Sequence, residues 1–494
     1  MVEQHSIIPL EGSKAQVIFK VAGEDTAAEY RKVVSQYSRE IEMKGFRKGK
    51  APVELLERKF GKEFRGQAFQ EILEQCWKEV APEIEPKPYG NPYFCDETGE
   101  VLEGEPPELK PGETLEFTVA FDTVPTVPLP TLDGLDWQGV SLELGAEDLD
   151  QEIDKYRQQA AIMVERKDET GVDGDIYSLR FALAGEGEEP AEEAKLRTIV
   201  RLGEADPHGF HDVVREMKGG EVRQLRNFSF PEEDMVEEEL RGKTADVWLE
   251  LTSIRTRELP DMDDDFAQDI DENFETLDDL KQHIREKLEK DSQELREQYA
   301  LLRIYRHWFD TLDFAIPQTM VEEETRAVLA DLRQRTGGSE QHLLMHLGMY
   351  YGGDVQSGLH TLEKEALQGL FVRLVRQQLL DSKGWEAGEE ELDAELNKMA
   401  ATQDISVEKL REQYADRWEQ IKQLAARQVL SARLNQGLLA EAGAGNTQGS
   451  ELRLSLAELK DRWEQDNAAF RDAVYEKFSP FKDTGGMLSA GEPA

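Results

Sequence analysis

The sequence of 494 residues contains few cysteines, no long apolar run and a deficit of positive charge. Cys76 and Cys95 are the two cysteines, so we expect no disulfide framework and a reducing compartment. No stretch approaches the roughly 18 consecutive apolar residues of a membrane-spanning helix. The N-terminus also lacks a basic segment followed by an apolar one. These absences predict a cytoplasmic protein that has no membrane partner.

Basic residues are outnumbered, since 59 lysines and arginines face 103 aspartates and glutamates, which gives a net charge of -44. Such a charge repels nucleic acid, so we expect no DNA partner, and any anionic partner must be met locally. The charged share of 33% indicates long, solvated helices around modest cores. The length indicates about two to four domains, because single cores rarely grow past about 250–300 residues.

Hydrophobic periodicity predicts a first α+β domain over residues 1–122. Apolar residues alternate over 13–22 and again over 113–122, which is typical of half-buried strands. Between them we predict a helix over 25–43 and then two further helices, the first beginning near Pro52.

A linker is predicted over residues 123–172, beginning with three prolines in "TVPTVPLP" and containing a helix over 146–167. Residues 173–256 then change to short alternating strands around one short helix, "HDVVREM". This pattern predicts a compact β-rich domain.

Residues 257–442 read as almost wholly helical. Thr276 and Asp279 form a capping box before a long amphipathic helix that reaches about Trp308. Pro317 begins another helix, and Ser406 begins one of about 35 residues. A tail over 443–494 carries a short amphipathic helix that could pack back, stay mobile or meet a partner.

The stretch "KGFRKGKAP" interrupts the acidic sequence with a small basic loop between two helices. Gly45 and Gly49 allow a tight turn that presents Phe46 at its tip. Four cations surround this ring, namely Lys44, Arg47, Lys48 and Lys50. The loop could be an ordinary solvated turn. An aromatic ring between cations is costly to expose, however, and favours docking on an acidic or phosphate-bearing partner.

"GFRKGKAP" resembles the ribosome-docking signature of bacterial trigger factor, the family of nascent-chain chaperones. The domain order and the passages "LGEADPHGFHDVVREMKGGEVRQLRNFSF" and "RELPDMDDDFAQDI" are also similar to that family, over about residues 10–440. The resemblance implies a multidomain α+β fold with an N-terminal α+β ribosome-binding domain, an FKBP-like β-rich domain and an all-α C-terminal domain with helical arms.

By the same resemblance, the loop binds the ribosome near the polypeptide exit tunnel, and unfolded nascent polypeptides are the clients. The implied ribosome-binding residues are Gly45, Phe46, Arg47, Lys48, Gly49 and Lys50. No ATP-binding motif of the P-loop type occurs, so we expect an ATP-independent chaperone without a cofactor.

The FKBP-like resemblance further implies prolyl isomerisation, which uses an apolar, aromatic-walled pocket to favour the twisted amide. Phe181 and Phe210 fall at two wall positions of that family. Other wall positions depart from it, since "GEGEEPAEEA" has no Phe, and Pro207 and His208 stand where an apolar residue is expected before "GF". Two further expected aromatics are replaced by Asp234 and by Val247, the latter beside Trp248. We therefore expect weak or no isomerase activity, and Phe210 could equally be a core residue.

Several apolar residues of the predicted arms could form the core or bind clients: Ile304, Trp308, Phe309, Leu343, Leu344, Met345, Met349, Tyr350, Tyr351, Leu370, Phe371 and Leu374. Helical spacing favours the core, whereas flexible Met and aromatic side chains suit varied clients.

His342 and His346 have helical metal-ligand spacing but no evident third ligand, so we expect no metal. Two other functions stay open, namely a true prolyl isomerase and a ribosome-independent holdase, as does a homodimer of the free protein.

Overall fold

The computed structural model describes residues 2–40, 46, 52–95, 107–166, 170–183, 190–201, 203, 206, 208–232, 239–351, 354–444 and 451–482. The chain forms two compact units. The first comprises Met1–Ser141 and Leu295–Ala494, and the second comprises Leu142–Glu294. Among the described residues, no helix combines the length and the apolar character needed to cross a membrane.

The N-terminal part of the first unit is an antiparallel four-stranded sheet covered by two helices. Its elements are β1 (Val2–Leu10), β2 (Lys14–Val21), α1 (Gly23–Glu40), α2 (Val53–Val80), β3 (Pro88–Phe94) and β4 (Leu115–Thr123). The strand order is β1-β2-β4-β3, and the alternating apolar residues of β2 and β4 pack against α2. The predictions of strands at 13–22 and 113–122 are confirmed.

Two elements of this part differ from the predictions. The sequence reading missed the edge strands β1 and β3, because β1 is largely exposed and β3 contains Pro88, Gly90 and Pro92, which usually break strands. The two helices predicted after Pro52 are confirmed: they follow each other directly within α2 and are separated by a kink at Phe60, where φ is -127° and ψ is 16°.

The second unit is built on a five-stranded antiparallel sheet. Chain order gives β5 (Gly139–Leu142), α3 (Ala146–Gln159), β6 (Ile162–Arg166), β7 (Ile176–Leu183), β8 (Leu196–Arg201), α4 (His211–Val214), β9 (Val222–Ser229), β10 (Thr244–Glu258) and α5 (Asp264–Ile270). Strand β5 ends at the boundary between the units and belongs to a separate small sheet. The predicted strands of residues 173–256 and their single short helix are confirmed.

The helix predicted over 146–167 is wrong in its second half. Helix α3 ends at Gln159, and residues 162–166 form strand β6, which pairs with the end of β10. The partner strand, more than 80 residues away in sequence, supplies hydrogen bonds that a local pattern cannot reveal.

The remaining chain is helical apart from one short strand. Its elements are α6 (Leu277–Thr311), α7 (Gln318–Arg335), α8 (Glu340–Tyr351), α9 (Val355–Lys383), α10 (Glu389–Ala401), α11 (Val407–Gln413), α12 (Trp418–Ala444), β11 (Glu451–Leu454) and α13 (Leu456–Phe478). The capping box before α6 is confirmed, because the Asp279 N–H donates to Thr276 Oγ1 at 3.2 Å and the Thr276 N–H donates to Asp279 Oδ2 at 2.9 Å. Pro317 precedes α7 as predicted.

The long helix predicted from Ser406 is wrong in its length. Ser406 does cap a helix, α11, but the backbone leaves the helical region at Tyr414, where φ is -113° and ψ is 30°, and α12 begins at Trp418. The amphipathic tail helix is confirmed as α13, and β11 just before it pairs with β5.

Three groups of hydrogen bonds hold the N-terminal part and the following linker on the helices of the first unit. Asp122 Oδ2 accepts from the Thr319 N–H at 3.1 Å and so caps α7 from strand β4. Tyr89 donates its hydroxyl to Glu323 on the same helix. Trp308 Nε1 donates to the Thr131 carbonyl at 2.9 Å, and Arg303 donates to two further linker carbonyls.

Candidate functional site

The basic loop lies between two helices that are fixed against each other. The rings of Tyr37 on α1 and Phe64 on α2 lie 5.5 Å apart. Tyr30 on α1 also contacts α2, and burial together with the nearby Glu57 raises the pKa of its hydroxyl. The ends of the helices that carry the loop are therefore set by packing.

Phe46 is 42% exposed. The other predicted ribosome-binding residues, Gly45, Arg47, Lys48, Gly49 and Lys50, lie outside the described residues. Directly after the loop, Val53 and Leu55 at the start of α2 are 47% and 46% exposed.

Val53 and Leu55 were missed by the sequence reading, although an apolar pair in the first turn of a helix after a basic loop was a usable signal. Arg58 and Lys59 on the next turn are also exposed. Glu54 and Glu57 are exposed in the same turns, so the described part of this region offers an apolar pair among charges of both signs.

In the second unit, Phe181 and Phe210 contact each other, with ring centroids 5.1 Å apart in an edge-to-face arrangement. Phe181 lies on β7, opposite Leu249 of β10, and Phe210 lies directly before α4. Three further rings join them in what we term the aromatic cluster, which consists of Phe181, His208, Phe210, Phe228 and Phe230.

Four of the five rings of the aromatic cluster are closed to solvent, and Phe228 is half-buried. Phe181 and Phe210 are 1% and 0% exposed, and Phe230 and His208 are also buried. The His208 ring lies 5.0 Å from that of Phe181, and its Nδ1 lies 3.3 Å from Thr198 Oγ1. A proline ring cannot touch Phe181 or Phe210 unless the cluster opens, so the arrangement of these two rings matches a hydrophobic core.

Among the other positions compared with the isomerase family, those that the structure describes do not add an open wall. Val247 is buried in the same core, and Trp248 is buried beneath Lys195, whose Nζ lies 4.5 Å from the indole centroid. Pro207 and Asp234 lie outside the described residues.

An exposed apolar surface occurs on α8 in the first unit. Leu344, Met345 and Met349 are 40%, 58% and 71% exposed, and we term them the methionine patch. Nothing is described of the Tyr350 and Tyr351 side chains, although their backbone belongs to α8. Flexible thioether side chains in such a position can adapt to many apolar partners.

The opposite side of α8 fixes the orientation of the methionine patch. Leu343 and Leu347 pack in a core with Leu332 of α7 and Leu362 of α9. Helix α9 approaches closely at Gly358, where a Cβ atom would lie 2.6 Å from the Leu347 carbonyl oxygen. The patch is therefore presented by a packed helix.

Most of the other apolar arm residues are core residues. Ile304, Trp308, Phe309, Leu370 and Phe371 are buried, and Leu374 is half-buried. His342 and His346 lie on α8 as predicted, and within the described residues no group of three or more His, Cys, Asp or Glu side chains is arranged to hold a metal ion.

Comparison with known proteins identifies two matching family models. The model of the bacterial trigger factor protein matches residues 4–156, and that of the trigger factor C-terminus matches residues 276–433. Together these matches span more than half of the chain.

Curated relatives match over most of their length. A trigger factor of Treponema denticola is 28% identical over 418 residues, covering 82% of this chain and 89% of the relative. One of a Geobacillus species is 30% identical over 414 residues, covering 82% and 92%. A solved trigger factor chaperone structure aligns at 17% identity with a TM-score of 0.43, covering 89% of this chain and all of that one. From the family models and the curated relatives, we conclude that this chain belongs to the bacterial trigger factor family of chaperones.

Proposed function

We propose that this chain is an ATP-independent chaperone of the cytoplasm that docks on the ribosome beside the exit tunnel and holds unfolded nascent segments. Docking is assigned to residues 45–50 within a domain of residues 1–122, and client holding to a helical domain of residues 257–442. The single observation that carries the proposal is the exposed Phe46 ring between two packed helices, within the docking signature of the family.

The charge distribution supports local docking. A protein of net charge -44 is repelled by the RNA surface as a whole, so a few cations beside Phe46 can act only where an apolar pocket accepts the ring. Val53 and Leu55 extend the apolar area next to the loop. The contact is therefore specific for a protein pocket beside phosphate or acidic groups.

Client holding is supported by the methionine patch. Isolated exposed apolar residues are ordinary on protein surfaces, but these three share one helix whose other face is packed. Met345 and Met349 can change rotamer at little cost, which allows modest affinity for many unfolded sequences.

Sedimentation with ribosomes tests the docking assignment. We expect the triple variant Phe46→Ala, Arg47→Ala, Lys48→Ala to lose at least tenfold in ribosome affinity, because the anchor ring and two cations are removed. The control Lys78→Ala, Lys110→Ala removes two exposed cations elsewhere in the same domain and should sediment as the wild type. Normal sedimentation of the triple variant would overturn the assignment. A wild-type chain that does not co-sediment with ribosomes but still binds clients would indicate a ribosome-independent holdase instead.

A true prolyl isomerase is the competing function. We propose that residues 173–256 instead act as a folded support with weak or no isomerase activity, because Phe181 and Phe210 are buried in the aromatic cluster. The test is an isomerisation assay on a proline-containing tetrapeptide. A rate enhancement equal to that of an ordinary FKBP domain would contradict the proposal.

A further inference from the structure

Helix α13 covers a set of aromatic side chains on the helical part of the first unit. These are Phe309 at the end of α6, Phe314 after it and Phe371 on α9, and we term them the aromatic groove. All three lie within the family match at 276–433, whereas α13 lies beyond its end. A groove within the matched region is thus filled by a helix outside that region.

The covering face of α13 is a single apolar stripe. Phe470, Val474 and Phe478 recur at every fourth position and are 1%, 0% and 9% exposed. The ring of Phe470 lies 5.8 Å from Phe309 and 6.0 Å from Phe371. The ring of Phe478 lies 5.7 Å from Phe314 and 5.8 Å from Phe371. The groove therefore accepts large side chains at positions i, i+4 and i+8 of a helix.

Polar pairs along the rim fix the direction of α13. Asp472 pairs with Lys364 at 2.8 Å, Arg471 with Glu365 at 2.8 Å, and the Gln368 amide donates to Asn467 at 2.7 Å. Positions rise on α9 as they fall on α13, so the two helices run antiparallel in one register. The charged pairs therefore specify the orientation in which a helix binds, which the apolar stripe alone does not.

We infer that the aromatic groove is a binding site for amphipathic helices with aromatic or large apolar residues at i, i+4 and i+8, and that α13 occupies it in cis. In trans, the site takes helical segments of incompletely folded clients. The inference rests on the proposed client-holding function, and it names a second surface, separate from the methionine patch, and a definite ligand class.

Covalent attachment gives α13 an advantage over any free ligand. A tethered segment faces its site at an effective concentration of about millimolar. A free helix at micromolar concentration is therefore excluded by about 100-fold or more from the wild-type groove. Weakening the cis contact within the full chain should make the site accessible.

The experiment measures binding of a fluorescein-labelled peptide of residues 451–482 to the full chain by fluorescence anisotropy. We expect Phe470→Asp to increase peptide affinity at least tenfold over the wild type, because a buried carboxylate cannot occupy the groove. The matched control Gln465→Asp places the same carboxylate on the exposed face of α13 and should bind as the wild type does. A peptide that itself carries the Phe470→Asp change should not bind any of these proteins.

A second variant avoids any change in the core. Arg471→Glu with Asp472→Lys reverses both rim charges of α13 against Glu365 and Lys364, and we expect the wild-type peptide to bind about threefold or more tightly. Near-ultraviolet circular dichroism shows whether the Phe470→Asp variant is folded. If it is unfolded, the peptide affinity of the charge-reversed variant tests the inference. Unchanged peptide affinity in every folded variant overturns the inference. Aggregation suppression and ribosome sedimentation by the same variants show separately whether the proposed function fails.

Discussion

The aromatic cluster of the second unit and the methionine patch of the first use apolar side chains in opposite ways. In the cluster, Phe181 and Phe210 are 1% and 0% exposed and contact each other edge to face. In the patch, Met345 and Met349 are 58% and 71% exposed. Because the rings of the cluster are buried, we assign them to stability, whereas the exposed methionines are available for binding. The family resemblance alone would suggest isomerisation for the cluster and client binding for the patch.

The physical difference lies in what surrounds each side chain. Each ring of the cluster already has aromatic neighbours at about van der Waals contact, so a substrate would have to replace interactions that exist. The methionine side chains face solvent, so a partner removes apolar area from water without breaking a packed core. Measurements of stability and binding at both places test whether burial separates these two roles.

Phe210→Ala should have the largest effect on stability. Loss of a fully buried ring should lower the free energy of unfolding of the second unit by about 3–5 kcal/mol. Hydrogen exchange of β7 and β10, followed by mass spectrometry, measures this loss locally. The control Phe46→Ala should change stability by no more than about 0.5 kcal/mol. A loss below about 1 kcal/mol at Phe210 would indicate an open wall and not a core ring.

Gly358→Ala tests the packing that orients the methionine patch. The added methyl group meets the Leu347 carbonyl oxygen at 2.6 Å, so we expect a loss of about 1–3 kcal/mol. Gly369→Ala on the same helix meets no atom within 4 Å and should stabilise by up to about 1 kcal/mol. Urea denaturation of the two variants compares them, and equal effects would show that the close approach is not required.

Tyr89→Phe tests a polar contact of a half-buried residue within the first unit and should cost about 0.5–1.5 kcal/mol. Burial, and then the hydrogen bond to Glu323, raise the pKa of Tyr89 to about 12 from its ordinary 10.0. The stabilisation is therefore complete below pH 10 and is lost as pH rises through about 12. The stability difference between wild type and variant should shrink over this range. A difference that stays constant with pH would rule out the hydroxyl as its source.

Met345→Gln with Met349→Gln should have the smallest effect on stability. Glutamine has nearly the helix propensity of methionine, and neither side chain is packed, so we expect a change within about 0.5 kcal/mol. Thermal unfolding measures it. A loss above about 2 kcal/mol would mean that the patch is part of a core.

The elements predicted correctly are those whose pattern is local. Strands β2, β4 and β7–β10 alternate, and α13 carries a clear apolar stripe. The capping box of Thr276 and Asp279 predicts the start of α6. Strand β6 was predicted as helix because its identity depends on pairing with distant β10.

The sequence indicated which residues belong to the candidate sites better than it indicated which of them are exposed. Phe181 and Phe210 do come together, but only the tertiary structure shows that Phe228, Phe230 and His208 close the space around them. Helical spacing on α8 did not separate buried Leu343 from exposed Met345, because the direction of packing is set by α7 and α9.

The most direct test of the account is suppression of aggregation of a chemically denatured client by the full chain. The comparison is between Met345→Gln with Met349→Gln and the matched control Met163→Gln with Met262→Gln, which changes two exposed methionines elsewhere. We predict that the α8 variant needs at least about threefold more protein for half-maximal suppression, while the control matches the wild type. Equal suppression by all three proteins would contradict the assignment of client holding to the methionine patch.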